Sequence, residues 1–421
     1  MLEHRLEQLK QIVKISLFRS QRSRRRAETS PAASSSPVAR LLIIPSDPWS
    51  LVGSKGDEAM MQAVAQQLRH RQPSLVVGVL TATPEASLAA EQLGFVPVHA
   101  WSRWLARANR HIAAFDPDAV VVVGADVMDG YYNPVFTTRI LLMADAAARR
   151  GTRVTVLGFS FNDNPNRHLR PVFDGLSPSI SINVRDETSL RRFQAFSTAP
   201  ARLVADAAFM LEPDASTESV KSAQDWAAQR RAAGDVVLGF NLHPMLIKGA
   251  TKQHVHQLVT IAVSALEGLA EKRSVSLLLI PHDYRGATGD SMCLTPIHQA
   301  LEQKLGERLM LLVGRHTAAE LKAVAGATDG VVTGRMHLAI ATLGMGRPVA
   351  ALTYQDKFQG LLVHFQLPQR FLLAHRALLE PGRLESMMLD FLDNLPTLER
   401  QVADRLATVQ DAARLNLWRL V

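Results

Sequence analysis

The sequence contains one cysteine, Cys293. A lone thiol excludes an intrachain disulfide framework and a zinc knuckle, and such scarcity suits a reducing compartment. Nothing local marks Cys293 as activated, so a packed thiol is expected. Long apolar runs are missing as well; none approaches the roughly 18 residues a spanning helix needs. The chain start is charged and has no apolar stretch followed by small residues, so a secretory signal is not expected and a cytoplasmic protein is. Internal repeats of 20–50 residues are absent, which sets solenoids and propellers aside. Neither the G-x-x-x-x-G-K-[ST] loop nor the G-x-G-x-x-G fingerprint occurs, so the two commonest nucleotide signatures are missing.

What is present describes a globular protein. The 421 residues suit about two domains, and 47% hydrophobic with 20% charged residues is ordinary composition. The net charge of +8 is unevenly placed: residues 1–40 hold nine Lys/Arg against three Glu, leaving about +2 for the rest. A duplex-binding domain would spread its cations over a docking face, so no nucleic-acid partner is expected.

Leu2, Leu6, Leu9, Val13 and Leu17 recur at helical spacing, with Lys10, Lys14 and Arg19 nearby and Arg22, Arg24, Arg25 and Arg26 following. A basic amphipathic helix can lie on an anionic membrane surface, which makes residues 1–26 a candidate peripheral contact. A solvated extension, or a helix packed on a partner, fits the same pattern. The Ser/Pro/Ala segment at 27–38 reads as a linker.

From residue 40 onward, apolar strands alternate with helical stretches. Strands are expected at ARLLIIPS, SLVVGVL (74–80), AVVVVGAD (119–126), RVTVLGFS (153–160) and SISINVRD (179–186). The polar run at 212–234 suggests a junction. DVVLGFNLHP (235–244), SVSLLLIPHD (274–283), LMLLVG (309–314), DGVVTG (329–334) and RPVAALTY (347–354) then repeat the pattern, and 376–421 reads as helices. Alternation of this kind means βαβ units and parallel sheets. The fold class is therefore α/β with two Rossmann-like domains: an extension and linker at 1–39, a first domain at 40–220, a second at 221–375, and C-terminal helices at 376–421 that by analogy cross back to the first domain. Ligands in such sheets bind beyond the carboxyl ends of the strands.

Five segments place chemistry there. In DGVVTGRMHLAIATLGMGRPVAALTYQDKF (329–358), Arg335 and His337 stand where a buried strand turns into a helix, and Tyr354 and Lys357 follow the next strand. Cationic side chains at a helix N-terminus suit a carboxylate or phosphate. A surface ion pair for Arg335 and a packed ring for His337 is the plainer alternative. In SINVRDETSLRRF, Arg185 closes a strand as a second candidate anion ligand, and Asp186 is expected to cap the next helix. Gly53 and Gly56 precede Asp57, a helix cap or an acceptor ligand. Asp126 and Asp129 follow a third strand as candidate acceptor contacts. His282 in IPHD and Asn241 with His243 stand at two further strand ends.

Taken in order, GDEAM, VGADVMDG, SINVRDETSL, VADAAFML, IPHD and TGRMHLAIATLGMGRPVAALTYQDK resemble the polysaccharide pyruvyl transferase family, including its colanic acid type, over about residues 40–370. Two departures fall outside the donor motif: Lys55 stands where the family often has Asn, and Gly124–Ala125 where it has a double glycine. The resemblance implies a GT-B-like arrangement with a cleft between the domains, phosphoenolpyruvate (PEP) as co-substrate with no further cofactor and no metal, and a saccharide acceptor in exopolysaccharide or cell-surface polysaccharide biosynthesis. A membrane-facing tail would suit a lipid-linked acceptor. Carried over, Arg335 and His337 match the donor-site motif, and Arg185 matches a second donor-site arginine. His337 becomes the leading acid/base, with Arg335 stabilising charge, and Arg185, Tyr354, Lys357 and His282 complete the donor set. Asp57, Asp126, Asp129 and Asn241 are the acceptor candidates. The alternatives are a nucleotide-sugar glycosyltransferase of the same architecture or a non-catalytic polysaccharide-assembly protein. Retaining glycosyltransferases often carry a Glu pair eight residues apart, whereas here Glu320 is followed by Thr328.

Overall fold

A computed structural model describes residues 2–20, 37–247, 249–353 and 357–421, with the side chains of residues 2–9, 287 and 357 outside the description. The chain divides into two compact units. The first comprises Met1–Val52, Met60–Met210 and Asp411–Val421, and the second comprises Gly53–Ala59 and Leu211–Gln410.

Seven strands build the first unit: β1 (Arg40–Ile44), β2 (Val76–Leu80), β3 (Val96–Val98), β4 (Ala119–Val122), β5 (Arg153–Phe159), β6 (Ser181–Val184) and β7 (Ala201–Leu203). Helices α1 (Leu2–Ser20), α2 (Lys55–Arg71), α3 (Pro84–Gln92), α4 (Leu105–Phe115), α5 (Pro134–Ala148), α6 (Arg170–Phe173) and α7 (Glu187–Phe196) accompany them. The sheet order is β3-β2-β1-β4-β5-β6-β7, parallel throughout. Crossover helices cover the sheet, so the central strands are apolar along their whole length; Leu41–Ile44 and Ala119–Val122 are fully buried.

The second unit repeats the plan. Its strands are β8 (Val236–Asn241), β9 (Val275–Leu279), β10 (Leu309–Leu311), β11 (Gly330–Thr333), β12 (Val349–Thr353) and β13 (Leu372–Ala374). They are ordered β10-β9-β8-β11-β12-β13, again all parallel. Helices α8 (Glu218–Ala232), α9 (Lys252–Lys272), α10 (Ser291–Leu305), α11 (Ala318–Gly326), α12 (Met336–Gly344), α13 (Lys357–His364), α14 (His375–Leu378) and α15 (Arg383–Arg414) complete it. Both units are thus Rossmann-like. In each, strand order reverses beside the first strand, which opens a crevice between β1 and β4 and between β8 and β11.

Several boundaries differ from the sequence expectation. The polar run at 212–234 contains α8, whose Val220, Ala223 and Ala227 form a narrow buried stripe against β8 and α11, so the second unit begins at Leu211 rather than 221. Gly53–Ala59 groups with the second unit, because Ser54 bridges to Asp283 and Glu58 accepts from the Ala318 amide at 2.7 Å, in the first turn of α11. The end of the chain is held by the first unit through Asn416, which is fully buried. Its side chain accepts from the Gly158 amide at 2.7 Å and donates to the Ala205 carbonyl at 2.9 Å.

The N-terminal helix is not a bare extension: α1 packs on α5, and Ile15 and Phe18 enter the core. The packed face differs from the stripe that periodicity selects, since Val13 is 60% and Leu17 48% exposed. Residues 21–26 of the basic segment and most of the linker lie outside the described residues. No described helix is long and apolar enough to cross a membrane. Cys293 is buried in α10, and burial pushes its thiol up to about 12, so it is a packed, inert group.

Candidate active site

At the reversal point of the second sheet, the last residues of β8 and β11 are bonded to each other. Thr333 Oγ1 donates to Asn241 Oδ1 at 3.1 Å, and the Gly334 amide donates to the Asn241 carbonyl at 3.3 Å. The chain then turns into α12, with Arg335 at its N-cap and His337 in its first turn. Arg335 makes no capping hydrogen bond, so the cap residue leaves the first-turn amides to other partners.

Arg335 is held on all sides. Its Nε and Nη2 donate to Asp290 Oδ1 at 2.8 and 2.6 Å, Nη1 lies 3.0 Å from Asp283 Oδ2, and Nη2 also donates to the Thr288 carbonyl at 3.1 Å. Asp290 additionally accepts from Asn241 Nδ2 at 2.7 Å and from the His282 amide at 2.8 Å. Burial pushes the Asp290 carboxyl up, while Arg335 and these donors draw it back. Arg285 forks onto Asp283, with Nε 3.0 Å from Oδ1 and Nη2 2.5 Å from Oδ2. Although burial raises Asp283, the bonds from Arg285 and the charge of Arg335 hold its carboxyl below the ordinary value. Two guanidinium groups therefore face two carboxylates, and the cluster is charge-balanced as it stands.

The first turn of α2 supplies the rest. Gly56 lies so close to His337 that a Cβ placed on it would stand 2.1 Å from His337 Nδ1. Only glycine allows this approach. One residue earlier, Lys55 is buried, donates to Glu58 Oε2 at 2.6 Å and lies 5.6 Å from the centre of the Tyr284 ring. Burial raises the Glu58 carboxyl, opposed by Lys55 and the Ala318 amide.

Two histidines are buried here as neutral rings. His282 is held well below its ordinary value by burial first, then by the charges of His337, Arg335 and Lys55. His243 is lowered likewise, by burial and then by Arg335. His243 Nε2 lies 2.9 Å from the Gly334 carbonyl, so Nε2 carries the proton and Nδ1 the lone pair.

The structure thus brings Arg335, His337, His282 and Asn241 to one edge of the second sheet. Asn241 is not available to an acceptor, because it is fully buried and its amide is spent on Ile280, Asp290 and Thr333. Asp57 stands in the first turn of α2 within the same unit, buried, rather than on the first domain's side. Arg185 belongs to the first unit, buried at the end of β6, with Nη1 2.9 Å from Asp206 Oδ2. Asp186 caps α7, accepting from the Ser189 amide at 2.7 Å. Asp129, the expected acceptor contact, is fully buried and occupied by the Tyr131 amide at 2.8 Å and by Asn162. Asp126 stays half-buried and accepts from the Tyr132 hydroxyl at 3.2 Å. Tyr354 lies outside the described residues. Lys357 begins α13, and its side chain is not described. Sequence reading missed Lys55, Asp283, Arg285 and Asp290. Among the described residues, no three His, Cys, Asp or Glu side chains converge as a metal cage requires.

The polysaccharide pyruvyl transferase family pattern matches residues 55–356, which spans this whole cluster. The chain belongs to that family. No curated protein matches the chain. Among solved structures it is similar to UDP-GlcNAc 2-epimerase from Neisseria meningitidis, at 12% identity over 90% of this chain and 99% of that one, with a TM-score of 0.54. It is also similar to a glycosyltransferase from Rickettsia africae, at 10% identity over 90% and 97% of the two chains, with a TM-score of 0.51. At such identities the likeness is one of fold alone, the GT-B fold.

Proposed function

We propose that the protein transfers the pyruvyl group of PEP to a saccharide as a ketal, in exopolysaccharide or cell-surface polysaccharide biosynthesis. Family membership supports the reaction class. The observation that carries the choice of donor is that Lys55, His282, Arg335 and His337 share the carboxyl edge of the second sheet: Arg335 and His337 open α12, Gly56 beside Lys55 packs against the His337 ring, and the His282 amide and Arg335 both bond to Asp290.

PEP carries a carboxylate and a phosphate, and cationic groups at a helix start suit both. Lys55 and the helix start that carries Arg335 would bind the donor's anionic groups, with Asp283 and Asp290 fixing the guanidinium in advance so that little reorganisation is needed. His337 would deliver a proton to the methylene carbon of PEP. The carbon bearing carboxylate and phosphate then becomes electron-poor, and one sugar hydroxyl adds to it, losing its proton to a base. Phosphate leaves with its bonding electron pair, and a second hydroxyl adds and is deprotonated, which closes the ketal. His282, a neutral buried ring at the same edge, is kept as a further donor contact. Arg185 is kept as a second donor arginine, and Tyr354 and Lys357 as further donor contacts. Asp126 remains an acceptor contact. We also assign the protein to the cytoplasm. The exposed Val13 and Leu17, with exposed Lys10, Lys14 and Arg19, form its contact with an anionic membrane surface, which suits a lipid-linked acceptor.

Calorimetric titration with PEP and with UDP-GlcNAc tests the donor. PEP binding by the wild type, weakened at least about tenfold in Lys55→Ala and His337→Asn, is the expected result, since each loses a charge-assisted contact of about 1.5–3 kcal/mol. Binding of UDP-GlcNAc with none of PEP would replace pyruvyl transfer by glycosyl transfer.

A further inference from the structure

An open hollow of about 400 Å³ lies in the first unit, beyond the carboxyl ends of β2 and β3 and against the start of α3. Thr83, Ser87, Leu88, Glu91 and His99 line it. None of the site residues described above belongs to it.

Its chemistry is selective. The lining holds no Lys or Arg, so nothing there would neutralise a phosphate. The positive end of α3 is already answered by Thr83, which accepts from the Ala86 amide at 3.1 Å, and by Glu85 in the first turn. An alkyl chain fits no better, because one carboxylate and one imidazole face the space. Thr83 and Ser87 are fixed by the protein: Thr83 Oγ1 donates to the Trp49 carbonyl at 2.6 Å, and Ser87 Oγ donates to the Thr83 carbonyl at 3.0 Å. The Ser87 oxygen keeps acceptor capacity. His99 Nδ1 lies 3.4 Å from Thr81 Oγ1, and among the described residues neither His99 Nε2 nor the Glu91 carboxylate has a protein partner. The hollow therefore offers a carboxylate acceptor, a ring nitrogen and a hydroxyl beside the exposed Leu88, which is 57% accessible.

Beside it stands an aromatic group. The Trp49 turn is fastened to the hollow by the Thr83 bond and by the Ala82 amide, which donates to Pro48 at 2.8 Å. Trp101 follows His99 by two residues. The two indoles meet edge to face at 5.1 Å, and both lie against Phe136 at 5.7 and 5.6 Å. The Arg139 guanidinium lies 3.8 Å from the centre of the Trp101 ring. Trp49 nonetheless leaves 44% of its surface exposed. A rigid, half-open indole costs little ordering entropy and offers a flat apolar face.

We propose that this hollow, with the Trp49–Trp101 pair at its side, is a subsite for an uncharged pyranose unit of the acceptor. A pyranose has apolar C–H faces for an indole or Leu88 and rim hydroxyls for Glu91, His99 and Ser87, and this pairing matches the mixed lining, which holds acceptors but no Lys or Arg. The assignment rests on the saccharide reading of the acceptor.

Saturation-transfer NMR with the methyl glycosides of glucose, galactose, mannose and N-acetylglucosamine tests it, with PEP calorimetry on the same samples. At least one glycoside should bind the wild type, and Glu91→Gln and Trp49→Ala should each weaken it about fivefold or more. PEP affinity should stay within about twofold in both variants, because neither residue belongs to the donor set. Glu91 is exposed, so Glu91→Gln tests the hollow even where Trp49→Ala disturbs its turn. Glycosides bound equally by wild type and Glu91→Gln, or no glycoside bound by a protein that binds PEP, would overturn the subsite and leave the pyruvyl reading standing. Glycoside binding lost in the variants of a protein that ignores PEP would uphold the subsite and remove the pyruvyl reading.

Discussion

Asp290 accepts two bonds from Arg335 on one carboxylate oxygen, at 2.8 and 2.6 Å, while its own side chain is wholly buried. The pair spans 45 residues of sequence and joins the start of α10 to the start of α12. Replacing Asp290 by Ala leaves a largely buried guanidinium short of a partner. The expected cost is about 3–5 kcal/mol, read from urea unfolding. Asp290→Asn keeps the shape and should lose less. Equal stability of all three proteins would show that the pair does not fix Arg335.

Gly56 tests the other side of the same site. A methyl group there must displace the His337 ring, so Gly56→Ala should cost about 1–3 kcal/mol and lower PEP affinity markedly more than it lowers the melting temperature. Unchanged PEP binding would mean that His337 tolerates another position.

The buried histidines give the fold a direction of pH dependence. His243 and His282 have native values depressed well below 6.5, so below that pH the unfolded chain binds protons that the native chain refuses. Stability is complete above about pH 6.5 and falls as pH drops toward the native values. With both rings contributing, the slope approaches about 2.7 kcal/mol per pH unit. Urea midpoints from pH 7.5 to 5.5 measure it, and His243→Gln should flatten the curve.

How far the sequence reveals this arrangement depends on whether a feature is local. The central strands announce themselves because both faces are covered, so Leu41–Ile44 and Val331–Val332 read as unbroken apolar runs. The three-residue edge strands β3 and β7 do not. Val96-Pro97-Val98 and Ala201-Arg202-Leu203 are partly exposed and show no apolar run, and a sheet edge needs none. Helix α8 reads as a polar junction because its buried stripe is mostly alanine. In the site, Arg335 and His337 are legible because strand, turn and helix start are adjacent in sequence. Lys55, Asp283 and Asp290 join them only through tertiary contacts, and a lysine beside a flexible-looking Gly loop carries no mark of its destination.

Helix α1 has two apolar aspects, one packed and one open, and point changes separate them better than truncation. Val13→Asp and Leu17→Asp alter only exposed positions, so melting should be unchanged. Co-sedimentation with vesicles containing phosphatidylglycerol should fall in both, and binding by the wild type should weaken with salt, because each basic side chain near an anionic surface contributes about 1 kcal/mol. Retained binding in both variants would rule out α1 as the contact.

Asn416 anchors the C-terminus. Its amide serves the Gly158 amide and the Ala205 and Ala413 carbonyls, all in a fully buried setting. Asn416→Ala orphans these groups and should cost about 2–4 kcal/mol in urea unfolding. A loss under about 0.5 kcal/mol would show that the terminal segment is not needed to close the first unit.

That anchor also sets a timetable for the ribosome. Domains usually finish folding in the order in which they emerge. Here the sheet that begins at Arg40 lacks the donor and acceptor groups of Asn416 until residue 416 has been made. The stretch from Leu211 to Gln410, whose other component Gly53–Ala59 was made long before, can complete itself while the opening sheet still waits. A chain cut before Asn416 would therefore keep the contacts of Leu211–Gln410 and lack those that Asn416 makes with the opening sheet, so the later-made unit is the one that does not depend on it.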